Sequence, residues 1–113
     1  MSFRLTRNLR VLKPFDYKTI FKHGKIIKGQ YWQVLARKID TPEPRLGLAI
    51  SKKVHRLAID RNKTKRIARE TFRTHQNDLN HWEFIVMAEH SKPAKNSIMT
   101  NDLLHLFKKI ITY

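Results

Sequence analysis

Between Ser51 and Arg73 the chain carries nine Lys or Arg against two acids, Asp60 and Glu70, and this stretch limits the fold more than any other. From about Ile59 it has no Gly or Pro and is rich in Lys, Arg, Ala and Glu, residues that favour helix. At 3.6 residues per turn, Asn62, Arg66, Arg69 and Arg73 fall on one stripe, with Lys65 beside it. Thr64, Ile67, Ala68, Thr71 and Phe72 fall on the opposite side. That apolar face is narrow and calls for a sheet to dock on. Solvated helix faces usually mix signs, because like charges at helical spacing repel by about 0.2–0.5 kcal/mol per pair. Here only Glu70 relieves Arg66, Arg69 and Arg73. The comb expects a polyanion.

Composition points the same way. The 113 residues hold 24 Lys and Arg against 9 Asp and Glu, a formal charge of +15, and nucleic acid is the usual partner of such a balance. This length fits one domain spanning 1–113 with a single core. There is no cysteine, which excludes disulfides and thiolate metal sites. Val11-Leu12 runs at once into Lys13-Pro14, so no signal-peptide core is read. No stretch reaches the roughly 20 apolar residues of a membrane span. The expectation is a cytoplasmic protein with no membrane role and no obligate protein partner.

Residues 1–13 carry Arg4, Arg7, Arg10 and Lys13 without an acid and read as a basic arm that orders on a partner or on the domain, or as a frayed terminus. Pro14 suits the first turn of a short helix that runs from Phe15 to His23 and stops at Gly24. Its Tyr17, Ile20 and Phe21 lie at i, i+3 and i+4. Ile20 reads as core; the spacing of Tyr17 and Phe21 fits either core packing or rings shown to a groove, where bases could stack.

Residues 26–39 alternate as one strand, with Trp32, Val34 and Ala36 opposite Tyr31, Leu35 and Ile39. The turn Asp40–Pro44 then predicts a hairpin return along Arg45–Val54. On that strand Gly47, Ala49, Ser51 and Lys53 make one face small and then basic, suited to a ligand backbone or to an overlying helix. Residues 81–90 alternate again. Thr100 is read as an N-cap with Asp102 in the first turn, and Met99, Leu103, Leu106, Phe107 and Ile110 form the stripe of a terminal helix. A basic helix between strands 45–54 and 82–89 implies that those two strands lie parallel in one sheet. The class is α+β, with helices packed on one face of a small mixed sheet.

Six histidines show neither i,i+4 pairing nor ligand-like carboxylate spacing, and are read as scattered on the surface. No nucleophile–base set or phosphate-cradling glycine loop is present. The residues describe a binder with no catalytic residues and no metal site.

Arg61-Asn62-Lys63, followed by Lys65, Arg66, Arg69 and Glu70, resembles the signature helix of the bacterial ribonuclease P protein subunit. The Arg4–Asn8 arm, Asp16-Tyr17 through Phe21-Lys22-His23-Gly24, Gly47–Lys53 and Leu106-Phe107 resemble the family's corresponding segments. The resemblance implies an αβββαβα sandwich with a left-handed βαβ crossover, against the usual right-handed rule. It also implies 5′ maturation of precursor tRNA, with cleavage by a catalytic RNA and its Mg²⁺ while the protein grips RNA. Arg61, Asn62, Lys63, Lys65, Arg66, Arg69 and Arg73 would bind the catalytic RNA. Tyr17, Phe21, Leu35, Arg37, Ser51, Lys52 and Lys53 would line the site for the 5′ leader.

Two departures stand out. Lys63 replaces an arginine and loses its bidentate fork, and Leu35 stands where some relatives have tyrosine. The competing expectation is a general or ribosome-associated RNA-binding protein without a catalytic partner. A DNA-binding helix-turn-helix is disfavoured because strands flank the basic helix.

Overall fold

The computed structural model describes residues 20–40, 42–90 and 92–112. Residues 20–23 are helical, α1, and the earlier part of the helix expected from Phe15 lies outside the described residues. Then follow β1 (Lys25–Lys28), β2 (Trp32–Lys38), β3 (Arg45–Ala49), α2 (Ala58–His75), a 3-10 turn (Gln76–Leu79), β4 (Trp82–Ala88) and α3 (Asn96–Ile111). The order is αβββαβα. Position 24, directly after α1, has room for glycine alone: a Cβ there would lie 2.5 Å from the Ile20 carbonyl oxygen and 2.9 Å from that of Ala36.

The single strand expected at 26–39 is two strands. β1 and β2 pair antiparallel, with Ile26 opposite Leu35 and Lys28 opposite Gln33, around a turn in which the Gly29 N–H donates to the Trp32 carbonyl at 2.8 Å. The hairpin expected between β2 and β3 is also corrected. The sheet order is β1-β2-β4-β3, so β4 separates them, antiparallel to β2 and parallel to β3. The parallel pairing across the basic helix is as expected. β4 takes the centre because both of its faces are apolar: Phe84, Val86 and Ala88 are buried on one side and Ile85 on the other.

The main core lies on one face of the sheet. Trp32, Val34, Ala36, Leu46, Phe84 and Val86 meet Ile67, Ala68 and Phe72 of α2 and Met99, Leu103, Leu106, Phe107 and Ile110 of α3. Phe84 is its hub, with ring centroids 4.9 Å from Phe107 and 6.3 Å from Phe72. Each fully buried side chain of this size stabilises the fold by about 1.5–3 kcal/mol. Both long helices therefore cover one face. On the opposite face Ile20 of α1 packs with Leu35 and Ile85, flanked by Ala49 and Met87.

The N-cap assigned to Thr100 is corrected, since α3 begins at Asn96 after Lys95. Asp102 consequently lies past the first turn, and its carboxylate accepts the N–H groups of Gln30 (3.1 Å), Tyr31 (2.8 Å) and Trp32 (3.2 Å). The strand expected to reach Val54 ends at Ala49. The chain turns there because the Ser51 carbonyl accepts the His55 N–H at 3.0 Å and the Ser51 hydroxyl accepts the Val54 N–H at 3.3 Å.

Candidate functional site

The helix α2 divides as its periodicity predicts. Thr64, Ile67, Ala68, Thr71 and Phe72 are its buried residues. Asn62, Lys63 and Arg66 are exposed, while Arg61, Lys65, Arg69 and Arg73 are half-buried, with long stems lying along the protein as amphipathic side chains do. Docking the apolar stripe on the sheet leaves the cations no direction but outward.

These cations are not equivalent. Arg61 Nη1 donates to the carbonyls of His55 at 2.9 Å and Arg56 at 3.1 Å. Lys63 Nζ donates to the Ala94 carbonyl at 3.1 Å. Arg61 thus braces the loop that leads into α2, and Lys63 the loop between β4 and α3. Arg73 donates to Glu70 at 2.7 Å. Arg66 is the most exposed of these guanidiniums, and Arg69 lies beside it on the outward stripe.

The hydrogen bond from Arg73 lowers the Glu70 carboxyl from its ordinary value, against some desolvation and with help from the charges of Arg73 and Arg66. A lowered folded-state value stabilises the fold above the unfolded glutamate range, and that contribution disappears as pH falls through the folded value. The pair is solvent-exposed, so screening leaves it weak. Glu70→Gln should cost no more than about 0.5–1 kcal/mol at pH 7 and progressively less as pH falls through the acid range, measured by denaturant unfolding across a pH series.

A second basic surface lies on the sheet face away from α2 and α3. Register places Arg37, Glu83 and Arg45 side by side across β2, β4 and β3. Glu83 is buried, with its carboxylate 4.0 Å from Arg37 and 3.7 Å from Arg45, so one acid aligns two half-exposed guanidiniums. Arg45 was not singled out from sequence, because its position beside Arg37 needs the β3–β4 pairing. Ser51, Lys52 and Lys53 are exposed, but on the turn beyond β3 and not on the strand. Phe21 is 54% exposed and shows its ring to solvent. Leu35 is only 3% exposed and packs with Ile20 and Ile85, so it supports this face from beneath and offers no surface for the contact assigned to it. Tyr17, Arg4, Arg7 and Arg10 lie outside the described residues.

The histidines also need one correction. His55 is buried, with Nε2 2.9 Å from the Thr64 hydroxyl. Among the described residues no three His, Asp or Glu converge as metal ligands. No helix among them is long and apolar enough to cross a membrane. What converges on both surfaces is a set of cationic donors, whose chemistry is to bind anionic oxygen.

Comparison with known proteins points to ribonuclease P. The family model described as Ribonuclease P matches residues 5–111. The ribonuclease P protein component of Aliivibrio salmonicida is 40% identical over 104 residues, covering 92% of this chain and 89% of the relative. That of Vibrio cholerae is 35% identical over 109 residues, covering 96% and 90%. Among solved structures, the RNase P protein of Staphylococcus aureus superposes with a TM-score of 0.81 at 30% identity, over 89% of this chain and 94% of that one. The RNase P protein of Thermotoga maritima gives 0.73 at 30% identity, over 94% of each.

Proposed function

The chain belongs to the ribonuclease P protein family, and from that premise we propose that it binds the catalytic RNA of ribonuclease P and the 5′ leader of precursor tRNA, promoting removal of the leader. The observation that carries this reading is the outward cationic face of α2, with its apolar face spent on the core. Cleavage is carried by the RNA with its bound Mg²⁺; the protein's own residues bind and orient. Asn62, Lys65, Arg66 and Arg69 contact phosphates of the catalytic RNA. Arg61, Lys63 and Arg73 add charge while bracing their neighbours. Phe21, Arg37, Lys52 and Lys53, with Ser51 shaping their turn, hold single-stranded leader by stacking and phosphate contact. Tyr17 adds a ring for the leader, and the arm residues Arg4, Arg7 and Arg10 add positive charge for RNA.

Arg45 joins the leader set through Glu83. A single cation there would attract phosphate; two guanidiniums on neighbouring strands also set the direction in which a strand of RNA can lie. The low-dielectric sheet beneath them strengthens the attraction.

The test is cleavage of a precursor tRNA at low Mg²⁺ with catalytic RNA alone, protein alone and the mixture. Cleavage restored only by the mixture is the expected result. Cleavage by protein alone would place a nuclease site in this chain. A mixture no better than the RNA alone would leave a general RNA-binding role.

A further inference from the structure

His55 is buried to 1% in a chain whose charge is overwhelmingly cationic, and neither RNA surface uses its ring. Its backbone and side chain point to different elements. The His55 N–H closes the turn on the Ser51 carbonyl at 3.0 Å. The ring reaches the Thr64 hydroxyl of α2 at 2.9 Å, and Thr64 is itself fully buried. The His55 carbonyl accepts from Arg61 of the same helix at 2.9 Å. One residue therefore links the turn carrying Lys52 and Lys53 to the helix carrying Arg66 and Arg69.

We propose that His55 is a positioning residue that fixes the leader-binding turn relative to the catalytic-RNA-binding helix, so that both RNAs are engaged in one geometry. This rests on the reading of the two surfaces given above. The physical requirement is plain. The loop from Ile50 to Leu57 has no strand or helix pairing, and a loop without such ties samples many conformations. A buried side-chain hydrogen bond at its middle removes that freedom, and leader phosphates then meet Lys52 and Lys53 already in place. A pre-ordered contact binds more tightly than one ordered on binding.

The test uses the reconstituted holoenzyme and compares affinity for precursor tRNA carrying a leader with affinity for tRNA lacking one. Thr64→Val keeps the shape of the buried side chain and removes the hydroxyl; His55→Val removes the ring; Thr64→Ser restores the hydroxyl. Each Val variant should lower the leader-dependent affinity ratio by about 3- to 10-fold, the worth of one net hydrogen bond. The double variant should lose no more than either single one, and Thr64→Ser should recover the ratio. Affinity of the protein for the catalytic RNA alone should stay within about twofold, because the substitutions remove the buried ring and hydroxyl and leave the outward cations and the His55 carbonyl that Arg61 uses in place.

Lys53→Ala separates the two levels of the argument. If Lys53→Ala lowers the ratio and folded Thr64→Val does not, the positioning role fails while the leader reading stands. If no variant moves the ratio, the leader reading fails. Equal losses for both RNAs, tracking a drop in melting temperature, would reduce His55 to an ordinary core residue and overturn the proposal.

Discussion

Asp102→Ala should destabilise the fold by about 2–4 kcal/mol, because one carboxylate serves three successive backbone donors and hydrogen bonds to charged groups are worth about 1.5–3 kcal/mol each, without full additivity. The donors are the N–H groups of Gln30, Tyr31 and Trp32. They belong to the turn that splits β1 from β2, some 70 residues away in sequence. The approach is so close that a Cβ on Gly29 would stand 2.8 Å from both carboxylate oxygens and 3.0 Å from Leu106 Cδ1. A second tie, from the Trp32 indole N–H to the Met99 carbonyl at 2.8 Å, fixes the same turn on the same helix. Without Asp102, the three N–H groups must find water or stay unpaired. Asp102→Asn keeps one acceptor oxygen and should lose less than the alanine variant. Urea unfolding monitored by tryptophan fluorescence measures both; a loss below about 1 kcal/mol for alanine would mean that water replaces the carboxylate there.

The same carboxylate shows which features of this protein its sequence discloses. The faces of α2 and the stripe of α3 were legible, since both depend on residues three or four apart and each helix buries the set its periodicity predicts. The parallel pairing of β3 and β4 followed from one strand–helix–strand unit. The rest depended on distant partners. Alternation continues from β1 into β2, so the turn at 29–31 is hidden until Asp102 is seen to accept its N–H groups. Nothing local says that β4 enters between β2 and β3; that follows from its having two apolar faces to bury. His55 looks polar and loop-borne, and the buried Thr64 hydroxyl that its ring meets inside the protein becomes visible in the fold alone. The candidate RNA surfaces divide in the same way. The cations of α2 were evident from spacing, whereas their unequal engagement and the Arg37–Glu83–Arg45 row needed the fold.

That unequal engagement leads to the largest functional effect expected. The Arg66→Ala, Arg69→Ala double variant should weaken binding to the catalytic RNA by about 2–6 kcal/mol, taking 1–3 kcal/mol for each charge-assisted contact. It should also flatten the salt dependence. Six neutralised phosphates would give a slope of log affinity against log salt near −4 to −5, and removing two should take back roughly 1.4–1.8 of it. Arg61→Ala should behave differently, because its guanidinium already donates to the His55 and Arg56 carbonyls. Its loss should appear first as lower stability and a looser loop, with a smaller change in slope. Filter binding across a salt series, paired with unfolding curves, distinguishes the two. If Arg61→Ala changes the slope as much as the removal of Arg66 and Arg69 together, the brace is not its main role and the whole signature helix acts as one phosphate grip. If the double variant leaves the slope unchanged, the outward face of α2 does not carry the RNA, and the reading built on it fails.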